Sequence, residues 1–174
     1  MRGYARFSVL LVTAVFVMFA ARPVFANLSA QKAFTLIRSV PPGERIESAA
    51  RFLGTHLTER SINNEAGIKV RQWGRQEDEW FLELLHDGNM VMASRITWRT
   101  KTKRDQQTTF SQLTTAGRKY FGRVAKFRGM TEAEWMEAGG TLLVRAVMKE
   151  DISGGVTLLT GVRDRNVDSG KYGF

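Results

Sequence analysis

The sequence has no cysteine. Disulfides, thiolate metal sites, cysteine nucleophiles and a lipid anchor carried on a cysteine are therefore excluded, and stability has to come from packing. Histidine is nearly as scarce: His56 and His86 are the only two, and they make no metal-ligand spacing with each other. A G-x-S-x-G elbow and a phosphate-binding glycine loop are missing too, which sets aside nucleophilic hydrolases and nucleotide chemistry. Only one long apolar run exists, Ser8 to Ala21. It is shorter than the roughly 20 residues needed to span hydrocarbon.

That run is preceded by Arg2 and Arg6 and followed by Val24-Phe25-Ala26, with small residues where a signal peptidase cuts. Residues 1–26 are read as a signal peptide, cleaved after Ala26, so that the protein is periplasmic or secreted. Taking 26 residues from 174 leaves 148, enough for one α+β domain over residues 27–163 with its own core, followed by a polar tail over 164–174. Removing Arg2, Arg6 and Arg22 from the formal +9 leaves +6. Between Arg95 and Arg128 stand ten Lys or Arg and one acid, Asp105. Export makes anionic lipid, lipopolysaccharide, peptidoglycan or an acidic protein surface, and not nucleic acid, the expected partner of that charge.

Ser29 is placed to cap a helix whose apolar positions Ala30, Ala33, Phe34 and Ile37 run to Pro41-Pro42. A second helix is predicted after Gly43, with Ile46, Ala49, Ala50 and Leu53 on one face and Gly54 as its stop. Ser61 to Asn64 reads as loop. The period then changes to two. Ile68 to Trp73, Glu79 to Leu85 and Met90 to Arg99 are predicted strands, the last two joined by a His86-Asp87-Gly88-Asn89 turn in which His86 is solvated. Trp80, Leu82 and Leu84 share one face; Met90, Met92, Ile96 and Trp98 share another.

After a polar connector over Lys101 to Gln107, a long helix is predicted from Phe110 to Phe127. Phe110, Leu113, Tyr120, Phe121, Val124 and Phe127 form its core arc, and Lys119, Arg123 and Lys126 lie nearly opposite. Gly129 to Gly140 repeats the spacing of Gly43 to Gly54, and Thr131 and Glu134 supply a T-x-x-E capping box for a further short helix. Thr141 to Lys149 and Val156 to Val162 complete an antiparallel sheet of about five strands with helices on one face. The order of elements suggests two repeats, 29–99 and 106–163.

The segments Pro42-Gly43 through Leu53-Gly54 and, still more, Gly129-Met130-Thr131 through Gly140 resemble the G-M-T-x-x-x-V-x-x-x-L-G turn and helix of the SmpA/OmlA family, small periplasm-facing lipoproteins of the barrel-assembly machinery. Two such units in tandem also look like the architecture of β-lactamase inhibitor proteins. The match covers about a dozen residues in each copy, with Ala49 and Trp135 at the usual valine, Gly139 at leucine, and no lipid-carrying cysteine. The resemblance implies helices on an antiparallel sheet and a non-catalytic binding role in the envelope.

Three functions follow as expectations. The first is an exported, non-catalytic module, needing no cofactor or metal, that recognises an envelope protein or component. The second is attachment to an anionic surface, with peripheral membrane contact, through Arg118, Lys119, Arg123 and Lys126, each charge worth about 1 kcal/mol near a charged membrane. The third is a small glycan hydrolase, for which Glu79 and Asp151 are the conceivable carboxylate pair. The closing Tyr172-Gly173-Phe174 resembles the aromatic end of a barrel strand, but the charged segment before it reads as a loose tail.

Overall fold

The computed structural model describes residues 28–53, 57–61, 68–74, 78–136, 142–150 and 155–162. The signal segment, His56, Asp151 and the C-terminal tail lie outside the described residues. The protein is α+β: among the described residues three helices accompany an antiparallel sheet of eight strands, not five. The helices are α1 (Ala30–Ser39), α2 (Ile46–Leu53) and α3 (Lys103–Phe121). The strands are β1 (Leu57–Ser61), β2 (Lys69–Trp73), β3 (Trp80–His86), β4 (Val91–Trp98), β5 (Lys126–Arg128), β6 (Glu132–Met136), β7 (Leu142–Met148) and β8 (Val156–Val162). Their order across the sheet is β1-β2-β3-β4-β8-β7-β6-β5. The chain thus runs as two helices and a four-strand meander, then one helix and a second four-strand meander, so the second half lacks the paired helices expected of a repeat. The last strands of the two meanders, β4 and β8, pair antiparallel at the centre, which leaves β1 and β5 as the edges.

The sheet has two unlike faces. Trp73, Leu82, Leu84, Ile96, Leu158, Val144, Ala146, Ala133 and Trp135 point to the helices and pack with Phe34, Ile37, Ile46, Ala49, Phe110 and Leu113 in one core. The opposite face carries a smaller cluster of Ile68, Val70, Leu85 and Ala93. There Arg95 Nε donates to buried Glu83 at 2.7 Å. At the β1 edge, on the helix side, Lys69 holds Glu59 at 2.9 Å, and Arg71 lies 3.4 Å from both Glu59 and Glu47.

Local chemistry accounts for the helix ends. Ser29 Oγ accepts from Lys32 N at 3.3 Å, so the cap on α1 is present. The segment before α2 is stitched to the β3–β4 hairpin by three backbone bonds: Gly43 N to Val91 O, Val91 N to Glu44 O, and Ile46 N to Asn89 O, all 2.7–2.8 Å. Ser94 Oγ donates to Val40 O at 2.7 Å, tying the end of α1 to the sheet.

Four expectations need correction. The stretch from Gly129 is a hairpin and not a helix: Gly129 opens a three-residue loop, and Glu132 to Met136 is strand β6 between β5 and β7. Alternation decides this. Ala133 and Trp135, two apart, both reach the helix-side core, and Glu132 and Glu134 find arginines on the other face, a division that a helix would destroy. The long helix begins seven residues before Phe110 and ends six before Phe127. Thr102 caps it through Asp105 N at 3.1 Å, and Gly122 at φ 65° ends it in the left-handed region. Its buried stripe is Gln106, Phe110, Leu113 and Gly117; Val124 and Phe127 lie beyond it, exposed.

The predicted common face of Met90, Met92, Ile96 and Trp98 is broken because the register shifts between Leu85 and His86, whose partners are Ala93 and Val91. Met92 is the extra residue of this bulge. It joins Ala93 on the far face while Ile96 and Trp98 stay with the helices. His86, finally, is the last residue of β3 and is buried, not solvated.

Candidate basic and apolar docking corner

The four cations singled out from the sequence lie where α3 turns into β5. Arg118 and Lys119 occupy the last turn of α3, where positive charge complements the helix dipole. Arg123 follows the Gly122 cap, and Lys126 opens the edge strand. They do not form one stripe of a continuous helix as expected. The turn at Gly122 instead distributes them over a helix end, a loop and a sheet edge. All four are exposed. Among the described residues none of them forms an ion pair, whereas the cations next to them do. Arg128 meets Glu134 at 3.1 Å, and Arg145 meets Glu134 and Glu132 at 3.3 and 3.4 Å. The two acids of β6 thus lie at ion-pair distance from Arg128 and Arg145, although Glu132 Oε1 and Glu134 Oε2 accept no well-formed hydrogen bond.

The same corner exposes apolar side chains. Val124 is 62% exposed, Phe127 52% and Met130 89%, and they are joined by Tyr120 at 37%. Met130 stands in the β5–β6 turn, and Phe127 is the middle residue of the outermost strand. At about 3.3 Å per residue, the three residues of β5 span roughly 7–10 Å of edge. Sequence reasoning placed Val124 and Phe127 in a core. The signal that corrects it is Lys119-Tyr120-Phe121-Gly122, basic residues and then glycine, which is a helix C-terminus.

The base of the corner is rigid. Phe34 stacks on Tyr120 at 5.7 Å and meets Trp135 edge to face at 5.6 Å, while Phe121 lies parallel to Trp135 at 5.9 Å. Gly117 allows this contact: a Cβ there would come within 2.7 Å of Trp135 Cε2 and Cη2, and closer to Cζ2. At the other end of α3, buried Gln106 donates from Nε2 to Lys149 O at 2.7 Å and Gly155 O at 3.1 Å. That locks the helix to the β7–β8 connection.

Other chemistry is sparse. Glu79 is exposed ahead of β3. Among the described residues no three His, Asp or Glu are grouped to hold a metal ion. An apolar pocket of about 110 Å³ lies between Leu36, Phe52, Leu53 and Trp73, well below the roughly 300 Å³ of a small-molecule site. Burial holds the His86 pKa below its ordinary value, and the positive field of Arg71 adds to this. Its Nδ1 accepts from Gly88 N at 3.1 Å. The Asp87 carboxylate is held below its usual range by Met90 N and Asn89 N, each donating at 2.9 Å. Both groups serve the hairpin.

Comparison with protein-family models, characterised proteins and solved structures finds no match to this chain.

Proposed function

We propose that this protein is an exported, non-catalytic binding module that engages an acidic component of the cell envelope through the corner between α3 and β5. The observation that carries this reading is the division of charge at the corner. Arg128 and Arg145 lie at ion-pair distance from the two acids of β6, and among the described residues Arg118, Lys119, Arg123 and Lys126 have no acidic neighbour at that distance. Cations outnumber acids there: Glu132 and Glu134 of β6 stand against Arg118, Lys119, Arg123, Lys126, Arg128 and Arg145. The signal-like residues 1–26 support export, and the two helix-then-meander halves support the tandem helix-and-sheet architecture that the SmpA/OmlA resemblance implies. The hairpin at Gly129 replaces the helix on which the second copy was drawn, so the likeness lies in the order of layers.

The experiment is binding of the mature chain to a soluble polyanion, dextran sulfate, over a salt series. Binding at low salt that weakens steeply as the Debye length shrinks from about 10 Å toward 3 Å is expected. The variant Arg118→Gln, Lys119→Gln, Arg123→Gln, Lys126→Gln should lose it. Indifference to salt, or equal binding by the variant, refutes the reading.

A further inference from the structure

From the exposed apolar edge we infer a particular partner: an anionic lipid bilayer, entered at headgroup depth by Val124, Phe127 and Met130 while Arg118, Lys119, Arg123 and Lys126 hold the phosphates. This rests on the acidic-surface reading above and commits it to one occupant. Three observations favour a bilayer.

First, the apolar side chains recur every three residues and alternate with cations: Arg123, Val124, Lys126, Phe127, Arg128, Met130. Phe127, opposite Ala133, lies on the helix side of β5, and Lys126 and Arg128, opposite Glu134 and Glu132, lie on the far side; an edge that enters a membrane interface edge-on has its cations on both flanks of the apolar groups in this way. A protein-binding core gathers its aromatic anchors into a patch depleted of charge, above all of lysine.

Second, Met130 is 89% exposed at the tip of a tight turn and Phe127 is half-exposed on a three-residue edge strand. A soluble anion satisfies the cations and leaves these side chains in water, whereas an anionic bilayer takes up both.

Third, charge disfavours the alternative use of a bare edge, pairing with a second copy of the chain. An antiparallel β5–β5 ladder centred on Phe127 sets Lys126 opposite Arg128 twice, like charges that destabilise a cross-strand pair. Phosphate headgroups reverse that sign. The stacked Phe34, Tyr120, Phe121 and Trp135 beneath give the corner a rigid footing.

The test compares three probes with the mature chain: vesicles of phosphatidylglycerol in phosphatidylcholine, vesicles of phosphatidylcholine alone, and dextran sulfate. Sedimentation is expected with the anionic vesicles only, and it should persist in part at salt that releases the protein from dextran sulfate. The variant Val124→Ser, Phe127→Ser, Met130→Ser changes exposed positions only and so keeps the fold, checked by circular dichroism. It should lose about a hundredfold in vesicle partitioning, from the partial burial of three side chains at headgroup depth, and bind dextran sulfate as the native chain does. Equal vesicle binding by the triple variant overturns the insertion. Native protein that binds dextran sulfate but no vesicle overturns the bilayer and leaves the acidic-surface reading standing. Native protein that binds neither removes both.

Discussion

Alanine at position 117 is the substitution that helix propensity alone recommends. In an exposed helix interior it gains about 1 kcal/mol over glycine. Here the added methyl group meets the six-membered ring of Trp135, with Cε2 and Cη2 at 2.7 Å and Cζ2 nearer still. The ring cannot yield freely, because Phe34 and Phe121 hold it from two sides and it is 1% exposed. Overpacking of this kind costs typically 1–3 kcal/mol. The displaced aromatic contacts add about 0.5–1.5 kcal/mol each if they are broken. After the propensity gain, a net loss of about 2 kcal/mol is expected, roughly 4–8 °C in Tm for a chain of this size.

The decisive comparison is with Trp135→Phe, which removes all three ring atoms that alanine would strike. In that background Gly117→Ala should be neutral or stabilising, a coupling of about 2–3 kcal/mol in a double-mutant cycle. Urea unfolding followed by far-ultraviolet circular dichroism reads it without depending on the altered tryptophan. Equal effects of Gly117→Ala in the two backgrounds would show that α3 does not lie on Trp135, and the rigid footing of the docking corner would go with it.

Three further expectations follow from other contacts. Gln106→Leu leaves the carbonyls of Lys149 and Gly155 without their side-chain donor. It should lower unfolding free energy by about 1–3 kcal/mol in urea titration; no change would mean α3 is not anchored there. His86 has a folded-state pKa below the ordinary value of about 6.5, since burial and Arg71 both disfavour its charged form against the weaker pull of Glu59 and Asp87. Stability should be full above that value and decline as pH falls below it, because the unfolded chain takes up the proton first. Thermal melts of native protein and His86→Leu between pH 7.5 and pH 5.5 test this, and an identical slope in both would locate the titration elsewhere. Asp87→Ala removes the acceptor for Asn89 N and Met90 N. It should cost about 1 kcal/mol, the ordinary value of such bonds, with no effect on polyanion binding, since the hairpin takes no part in the corner.

Five strands and the first two helices were legible because each carries one clear period and a chemical end mark: Ser29 before α1, Gly43 before α2, Asp87-Gly88 between β3 and β4. β1 was not, since Leu57-Thr58-Glu59-Arg60-Ser61 is a polar edge strand whose charges suit an exposed border and leave no apolar alternation. Glu132 to Met136 satisfied two patterns at once. Its helix-forming residues and T-x-x-E spacing favoured one turn type, and the alternation of Ala133 and Trp135 the other; tertiary packing under α3 decided between them. The four cations could be found in the sequence as a charge cluster. Their three-dimensional grouping could not, because it depends on Gly122 ending the helix early, and that same turn carries Val124 and Phe127 from the expected core to the surface.

Amide hydrogen exchange with and without anionic vesicles tests the docking corner most directly. Slowed exchange confined to residues 122–131, with the other edge at Leu57–Ser61 unchanged, is the predicted result. Unaltered exchange across 122–131 while the protein is vesicle-bound, or protection that appears instead at the β1 edge, would contradict it.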